Sequence, residues 1–331
     1  SDLVIGGAGS DTITLNEGNN LALGDSGRIT AANVDGPQLS GLPMTFGEVL
    51  TTADGIGDSD TMTAGNGNDI LVGGTNAAGG AQETLSAGGG NNLVLGDSGR
   101  IDYARAERQA DAKGADANPA DIDLIESSST TQDGGVDKIT AGDGSDLIVG
   151  GRYGDLIEAG GGNNLVIGDS GRMTAGSSDG AQLSGIPMTF GLVETLESGD
   201  GGSDSITTGT GIDIILGGQG ADTIIANSGE AAGTPDGGNV ILGDNGKLDY
   251  TRADRMSTAG ADIDPADLDL VESVDEGIGG DDLITTGNGS DLVIGGAGSD
   301  TITLNEGNNL ALGDSGRITA ANVDGPQLSG L

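Results

Sequence analysis

Apolar residues along this chain come in short runs of three, each framed by glycine, aspartate and asparagine, and the runs recur every nine residues wherever the spacing is regular. GGAGSDTIT at 6–14, AGDGSDLIV at 141–149 and GGQGADTII at 217–225 show the unit, six residues of glycine-rich turn ending in an acid and then three of strand. Two units make a coil of 18 residues, so residue i stacks on residue i+18. This pattern predicts an all-β chain folded as a parallel β-roll or β-helix solenoid, with two sheets facing each other across a thin core.

Side chains alternate along a strand, so the central residue of each triplet, such as Ile139, Ile148, Ile157 or Val166, is expected to point inward and its neighbours outward. Odd strands carry mostly polar flanks (TMT, KIT, SIT, TIT), whereas even strands are apolar at all three positions (LVI, ILV, LIV, IIL). A strand apolar on both sides is normally buried on both faces. One sheet is therefore expected to face water and the other to be covered along Leu147, Val149, Leu165 and Ile167. Either the inserts described next, with spare hydrophobes such as Leu183, Ile186, Met188, Phe190, Leu268, Leu270 and Val271, or a neighbouring chain would supply the cover.

The turn GDSGR or GDNGK recurs with its first glycine at Gly24, Gly96, Gly168, Gly243 and Gly313. It divides the chain into the end of a roll at 1–27, four modules at 28–99, 100–171, 172–246 and 247–316, and the start of a further insert at 317–331. Each module is an insert of about 30–36 residues followed by roll. Inserts alternate between a type sharing QLSG and PMTFG (38–47 and 182–191) and a type in which 114–127 corresponds to 260–273. Residues 290–331 repeat 1–42 without a change, an offset of 289 residues, so the chain is expected to be a section of a longer tandem array.

Composition narrows the chemistry. The chain of 331 residues has 67 glycines, two phenylalanines, three tyrosines and no tryptophan, so a thick aromatic core is out of reach. With 52 acidic and 12 basic residues its formal charge is −40, which argues against nucleic acid and anionic lipid as partners and favours cations. No apolar run approaches the ~18 residues of a membrane span, so membrane insertion is not expected. The absence of cysteine and histidine removes disulfides, thiolate and imidazole ligands, and the commonest general base. The GDSG turns superficially match a serine-protease nucleophile turn, but without histidine there is no triad. The glycine clusters lack a phosphate-loop lysine, and the carboxylates repeat without aromatic sugar subsites. An enzyme is not expected.

In register, the acid of the turn falls at Asp2, Asp11, Asp60, Asp69, Asp137, Asp146, Asp155, Asp204, Asp213, Asp222, Asp282, Asp291 and Asp300. Asparagine takes the position at Asn20, Asn92, Asn164, Asn239 and Asn309, and the GDSG-type turns add Asp25, Asp97, Asp169, Asp244 and Asp314. All of these are candidate metal ligands. Consecutive in-register copies of GGxGxDxUx over roughly half the chain resemble the repeats-in-toxin (RTX, hemolysin-type) nonapeptide family. The resemblance implies a calcium-binding parallel β-roll, in which one turn's Asp and carbonyls bind an ion with those of the turn one coil further on, as for Asp137 with Asp155. Calcium suits such donors because it accepts six to eight oxygens in flexible geometry.

Further expectations follow from the stacking. The turn at 168–172 should lie over 150–155, letting Asp169 close the last site on that edge, and Asn164 should place an uncharged oxygen over Asp146. The pattern departs from the family at the asparagines, at an 11-residue turn (73–83) with Glu83 in the acid position, and at a 14-residue turn (226–239). Arg28, Arg100, Arg172, Lys247 and Arg317 are expected either to supply positive charge where the metal ladder stops or to form surface ion pairs of little worth. Asp116, Asp121, Asp123, Asp262, Asp264, Asp267 and Asp269 read as solvated loop, with an extra ion site as the alternative. The resemblance implies a secreted bacterial protein, extracellular or at the cell surface. Its role is expected to be that of a calcium-rigidified rod in a giant fibre or matrix protein, folding on secretion. Its partners would be calcium (several ions), adjacent repeats and, by lateral self-association, filaments. An adhesin whose inserts bind glycans or surfaces, and a secretion module attached to an enzyme, are the rival readings.

Overall fold

Each apolar triplet becomes a parallel strand in the computed structural model, which describes residues 1–36, 38–52, 55–76, 82–105, 120–128, 134–180, 182–231, 236–252 and 265–320. The even triplets build a central sheet of ten parallel strands, from Leu3–Ile5 and Leu21–Leu23 at one end to Leu292–Ile294 and Leu310–Leu312 at the other. The odd triplets build an outer sheet of nine parallel strands, from Thr12–Thr14 to Thr301–Thr303. Among the described residues no helix is long and apolar enough to cross a membrane.

Within a roll the register is the expected one, Leu147 pairing with Leu165 and Ile139 with Ile157. Across an insert the stacking continues: Leu21 pairs with Ile70, and Leu93 with Leu147. The reason is energetic. An unpaired strand end would leave a row of backbone groups exposed, while closing a longer loop costs only a logarithmic increment of entropy. The parallel sheets therefore run unbroken through every described module.

The inserts supply a third layer. Gly27–Ala31, Phe46–Thr51, Gly99–Asp102, Leu124–Ser127, Gly171–Ala175, Phe190–Thr195, Gly246–Asp249, Leu270–Ser273 and Arg317–Thr319 form a nine-stranded antiparallel sheet over the central one. Leu147, Val149, Leu165 and Ile167 are buried in one cluster with Phe46, Ile101, Met173, Phe190 and Val193 from this cover. The doubly apolar strands are thus covered by the chain's own inserts. On the other face, Ile139, Ile148, Ile157 and Val166 fill the core between the two parallel sheets, each burial being worth ~1.5–3 kcal/mol. The outer sheet shows Thr12, Thr14, Thr61, Thr63 and Glu158 to water.

Two aromatic pairs tie one insert type to the other, Phe46 with Tyr103 and Phe190 with Tyr250, each at 6.2 Å between ring centroids. The second glycine of each GDSGR turn lets the cover lie flat: a Cβ on Gly171 would collide with Ile167, and one on Gly99 with Leu95.

The basic residues after these turns make ion pairs, the second of the two expected roles. They are strand residues of the cover, and antiparallel register sets Arg100 opposite Glu126 and Arg172 opposite Glu126 and Glu194. Arg28 reaches Glu48 at 3.4 Å, Arg100 reaches Glu48 and Asp102 at 2.8 Å, and Lys247 reaches Glu272 at 2.8 Å. A correction concerns the insert acids. Asp123 and Asp269 are buried, and their carboxylates accept the N–H of Arg105 at 2.8 Å and of Arg252 at 2.9 Å. Asp121 is half-buried and Asp267 exposed, while Asp116, Asp262 and Asp264 lie outside the described residues.

Candidate metal edges of the roll

The turns stack along two edges. The edge leading from central to outer sheet carries an acid at every level: Asp11, Asp60, Glu83, Asp137, Asp155, Asp204, Asp222, Asp282 and Asp300. The edge leading back alternates strictly, as Asp2, Asn20, Asp69, Asn92, Asp146, Asn164, Asp213, Asn239, Asp291 and Asn309. Asp2 is exposed, and Asp11, Asp300 and Asn309 are half-buried; the positions between them are buried.

Each edge is a hydrogen-bonded ladder. On the all-acid edge the N–H of Asp137 donates to Asp155 Oδ1 at 2.8 Å, that of Asp155 to Asp204 at 2.7 Å, that of Asp204 to Asp222 at 2.8 Å and that of Asp222 to Asp282 at 2.8 Å. On the alternating edge the N–H of Asn20 donates to Asp69 Oδ1 at 2.7 Å, that of Asn92 to Asp146 at 2.8 Å and that of Asp146 to Asn164 at 3.1 Å. At each rung so bonded, one side-chain oxygen is used to join coils.

The other oxygen is the chemically available one. Oδ2 of Asp60, Asp69, Asp137, Asp146, Asp155, Asp204, Asp222, Asp282, Asp291 and Asp300 is buried without a hydrogen-bond partner. A buried, unpaired carboxylate oxygen is costly. On the all-acid edge these oxygens face the carbonyl of a neighbouring coil's glycine. A Cβ on Gly150 would collide with both Asp155 Oδ2 and the Gly168 carbonyl oxygen, and the same holds for Gly168 with Asp204 and Gly217. The next glycine of the turn has φ of 121° at Gly151 and 114° at Gly218, a region L side chains avoid.

Burial raises the carboxyl pKa values accordingly. It pushes Asp137, Asp222 and Asp282 up to about 8, and Asp146 and Asp213 to about 7. Asp155 and Asp204 are held well above the usual range by burial and then by neighbouring aspartates. Among the described residues no three carboxylates converge on one point. The donor set is instead carboxylate plus backbone carbonyl, all oxygen, which suits a hard cation of flexible geometry such as calcium better than one demanding a tight octahedron.

The asparagine rungs are built differently. Because Asn164 Oδ1 accepts from Asp146, its Nδ2 faces its own turn and donates to the carbonyls of Gly160 and Gly162 at 3.3 Å. Asn92 does the same to Gly88 and Gly90, and Asn20 to Asn16 and Gly18. Hence the amide is bonded to carbonyls of its own turn. In the 14-residue turn Asp236 takes the carbonyl's place, accepting from Asn239 Nδ2 at 3.1 Å; its irregular spacing hid it from the sequence register.

The aspartates of the GDSG-type turns are clamps between modules. Asp97 accepts the N–H of Gly135 at 3.0 Å and of Arg152 at 2.6 Å; Asp169 accepts those of Gly202 at 2.9 Å and of Gln219. Asp244 receives Gly280 at 2.9 Å and Ala297, and Asp25 receives Thr75 at 2.6 Å. The turn at Gly168 stacks on Gly150 and Gly151 as expected, and Asp169 reaches forward to the coil after the insert. Asp314 is exposed.

A sequence model of the RTX calcium-binding nonapeptide repeat, in four copies, matches residues 1–28, 54–77, 78–100, 133–172, 198–230 and 276–311, together more than half of the chain. No curated protein and no solved structure matches.

Proposed function

The chain belongs to the RTX calcium-binding nonapeptide repeat family, and on that premise we propose that it is an extracellular, calcium-rigidified rod section of a secreted bacterial fibre or matrix protein, without enzymatic activity. The observation that carries this reading is the row of buried, unpartnered Oδ2 atoms repeated at successive coils. With a formal charge of −40, the calcium-free chain opposes its own compaction, and ions bound between coils would supply the missing charge and donor partners. Binding to the folded state alone then draws the equilibrium toward the roll. Low free calcium inside the cell would keep the chain unfolded and exportable, and higher calcium outside would zip it. A solenoid whose coils touch only their neighbours grows in length as units are added, which supports a spacer. The return of residues 1–42 unchanged at 290–331 fits that role.

The test is circular dichroism and small-angle scattering on the intact chain. Chelator is expected to convert most of the strand signal to coil, and millimolar calcium to restore it along with an elongated particle. A spectrum indifferent to chelation would rule out the metal-coupled mechanism.

A further inference from the structure

One level of the all-acid edge is built differently from the others. In the regular rungs Oδ1 accepts the N–H of the preceding rung and a single oxygen is left over. Glu83 is fully buried, and neither Oε1 nor Oε2 has a hydrogen-bond partner. Its extra methylene carries the carboxylate past the ladder position, over Gly73, where a Cβ would collide with Glu83 Oε2 and with the carbonyl oxygen of Gly96.

Asn76, from the same long turn, takes over the ladder function at this level. Glu83 and Asp137 are paired in register, but it is Asn76 Nδ2 that donates to Asp137 Oδ1, at 3.1 Å. Asn76 is itself buried and its Oδ1 has no partner. Three side-chain oxygens are therefore buried and unpartnered within this one irregular turn. Buried acids flank it on both sides along the edge: Asp25, Asp60, Asp97 and Asp137. Among the described residues no cationic side chain is paired with Glu83.

We propose that Glu83 binds a divalent cation, calcium by its all-oxygen donors, through both carboxylate oxygens, with the Gly96 carbonyl as a neighbouring donor. The sequence holds one such site per 289-residue unit, because no other turn has glutamate in this position. Two ionic contacts from one side chain make it stronger than an aspartate rung, which has one oxygen to give. This assignment presupposes the calcium reading of the regular rungs.

The experiment is calorimetric calcium titration of the intact, chelator-stripped chain, with bound calcium counted by metal analysis at saturation. Glu83→Gln should lose one calcium and the tightest binding phase, weakened by about 10-fold or more. Glu83→Asp should keep the count and weaken that phase to the level of the rungs. Asp155→Asn should lose one calcium from the weaker class and leave the tight phase alone. If Glu83 were a protonated structural carboxyl, the isosteric Glu83→Gln would leave count, tight phase and stability unchanged, and the site is overturned. Should Glu83→Gln not fold, an unaltered tight phase in Glu83→Asp overturns it equally. A wild-type chain that binds no calcium would remove the rod mechanism and this site together, whereas wild-type binding with an unchanged Glu83→Gln removes only the site.

Discussion

The backbone N–H of Asp155 donates at 2.7 Å to Oδ1 of Asp204, 49 positions further along the chain. That one bond carries the ladder past an insert, and it separates the two jobs of an aspartate rung. Asp204→Asn keeps the acceptor and replaces the free oxygen by an amide, so it is expected to remove one bound calcium while leaving the calcium-free fold as stable or more so. Asp204→Ala also orphans the Asp155 N–H and should cost about 1–3 kcal/mol. Thermal melts with and without calcium separate the variants; equal destabilisation by both in chelator would contradict this division.

Asn164 gives the converse experiment. Its amide satisfies the carbonyls of Gly160 and Gly162, and a carboxylate cannot donate to them. Asn164→Asp should weaken the calcium-free roll by about 1–3 kcal/mol and raise the calcium content by one. An unchanged calcium count in the folded variant would show that the amide does not hold a site closed.

The pH dependence has a definite sign. Asp137, Asp222 and Asp282 have folded-state values near 8, and Asp146 and Asp213 near 7, all above the ~3.9 of an unfolded aspartate. Such groups contribute stability that is fully present below the unfolded value and is lost as pH rises through the folded one. The calcium-free fold should therefore be firmer at about pH 5 than at about pH 8, and calcium affinity should rise over the same window as protons leave the ligands. Urea midpoints in chelator that increase with pH would reverse the argument.

The covering layer should carry stability of its own. Phe190 is fully buried between cover and central sheet, and Phe190→Ala is expected to cost about 3–5 kcal/mol in calcium. Thr12→Ala, on the exposed face of the outer sheet, should change stability by under ~0.5 kcal/mol. Comparable effects at the two positions in chemical denaturation would mean that the cover does not pack as described.

Much of this was legible in the sequence, because a nine-residue period states its own geometry. The triplets at 147–149 and 165–167, apolar throughout, declared that both their faces are buried, and Asp137, Asp155 and Asp204 declared one edge. Less visible was anything depending on residues far apart. Arg100 reads as a charge after a turn, and only antiparallel pairing sets it between Glu48 and Glu126. Asp97 and Asp169 look like further rungs, yet the fold makes them acceptors for amides that return after an insert.

The sequence by itself determined the coil length, the two parallel sheets, the edge positions and the need for a covering layer, since each follows from local periodicity and the alternation of side chains. Only the tertiary structure decided that the coils stack without a break, that the inserts join into one antiparallel sheet, and that asparagine rungs close on their own carbonyls. The physical reason is that backbone groups must all be paired. Which partner satisfies each is settled by the stacking of distant turns, and neither the partner nor the leftover oxygens of Asp155 and Glu83 can be read from spacing alone.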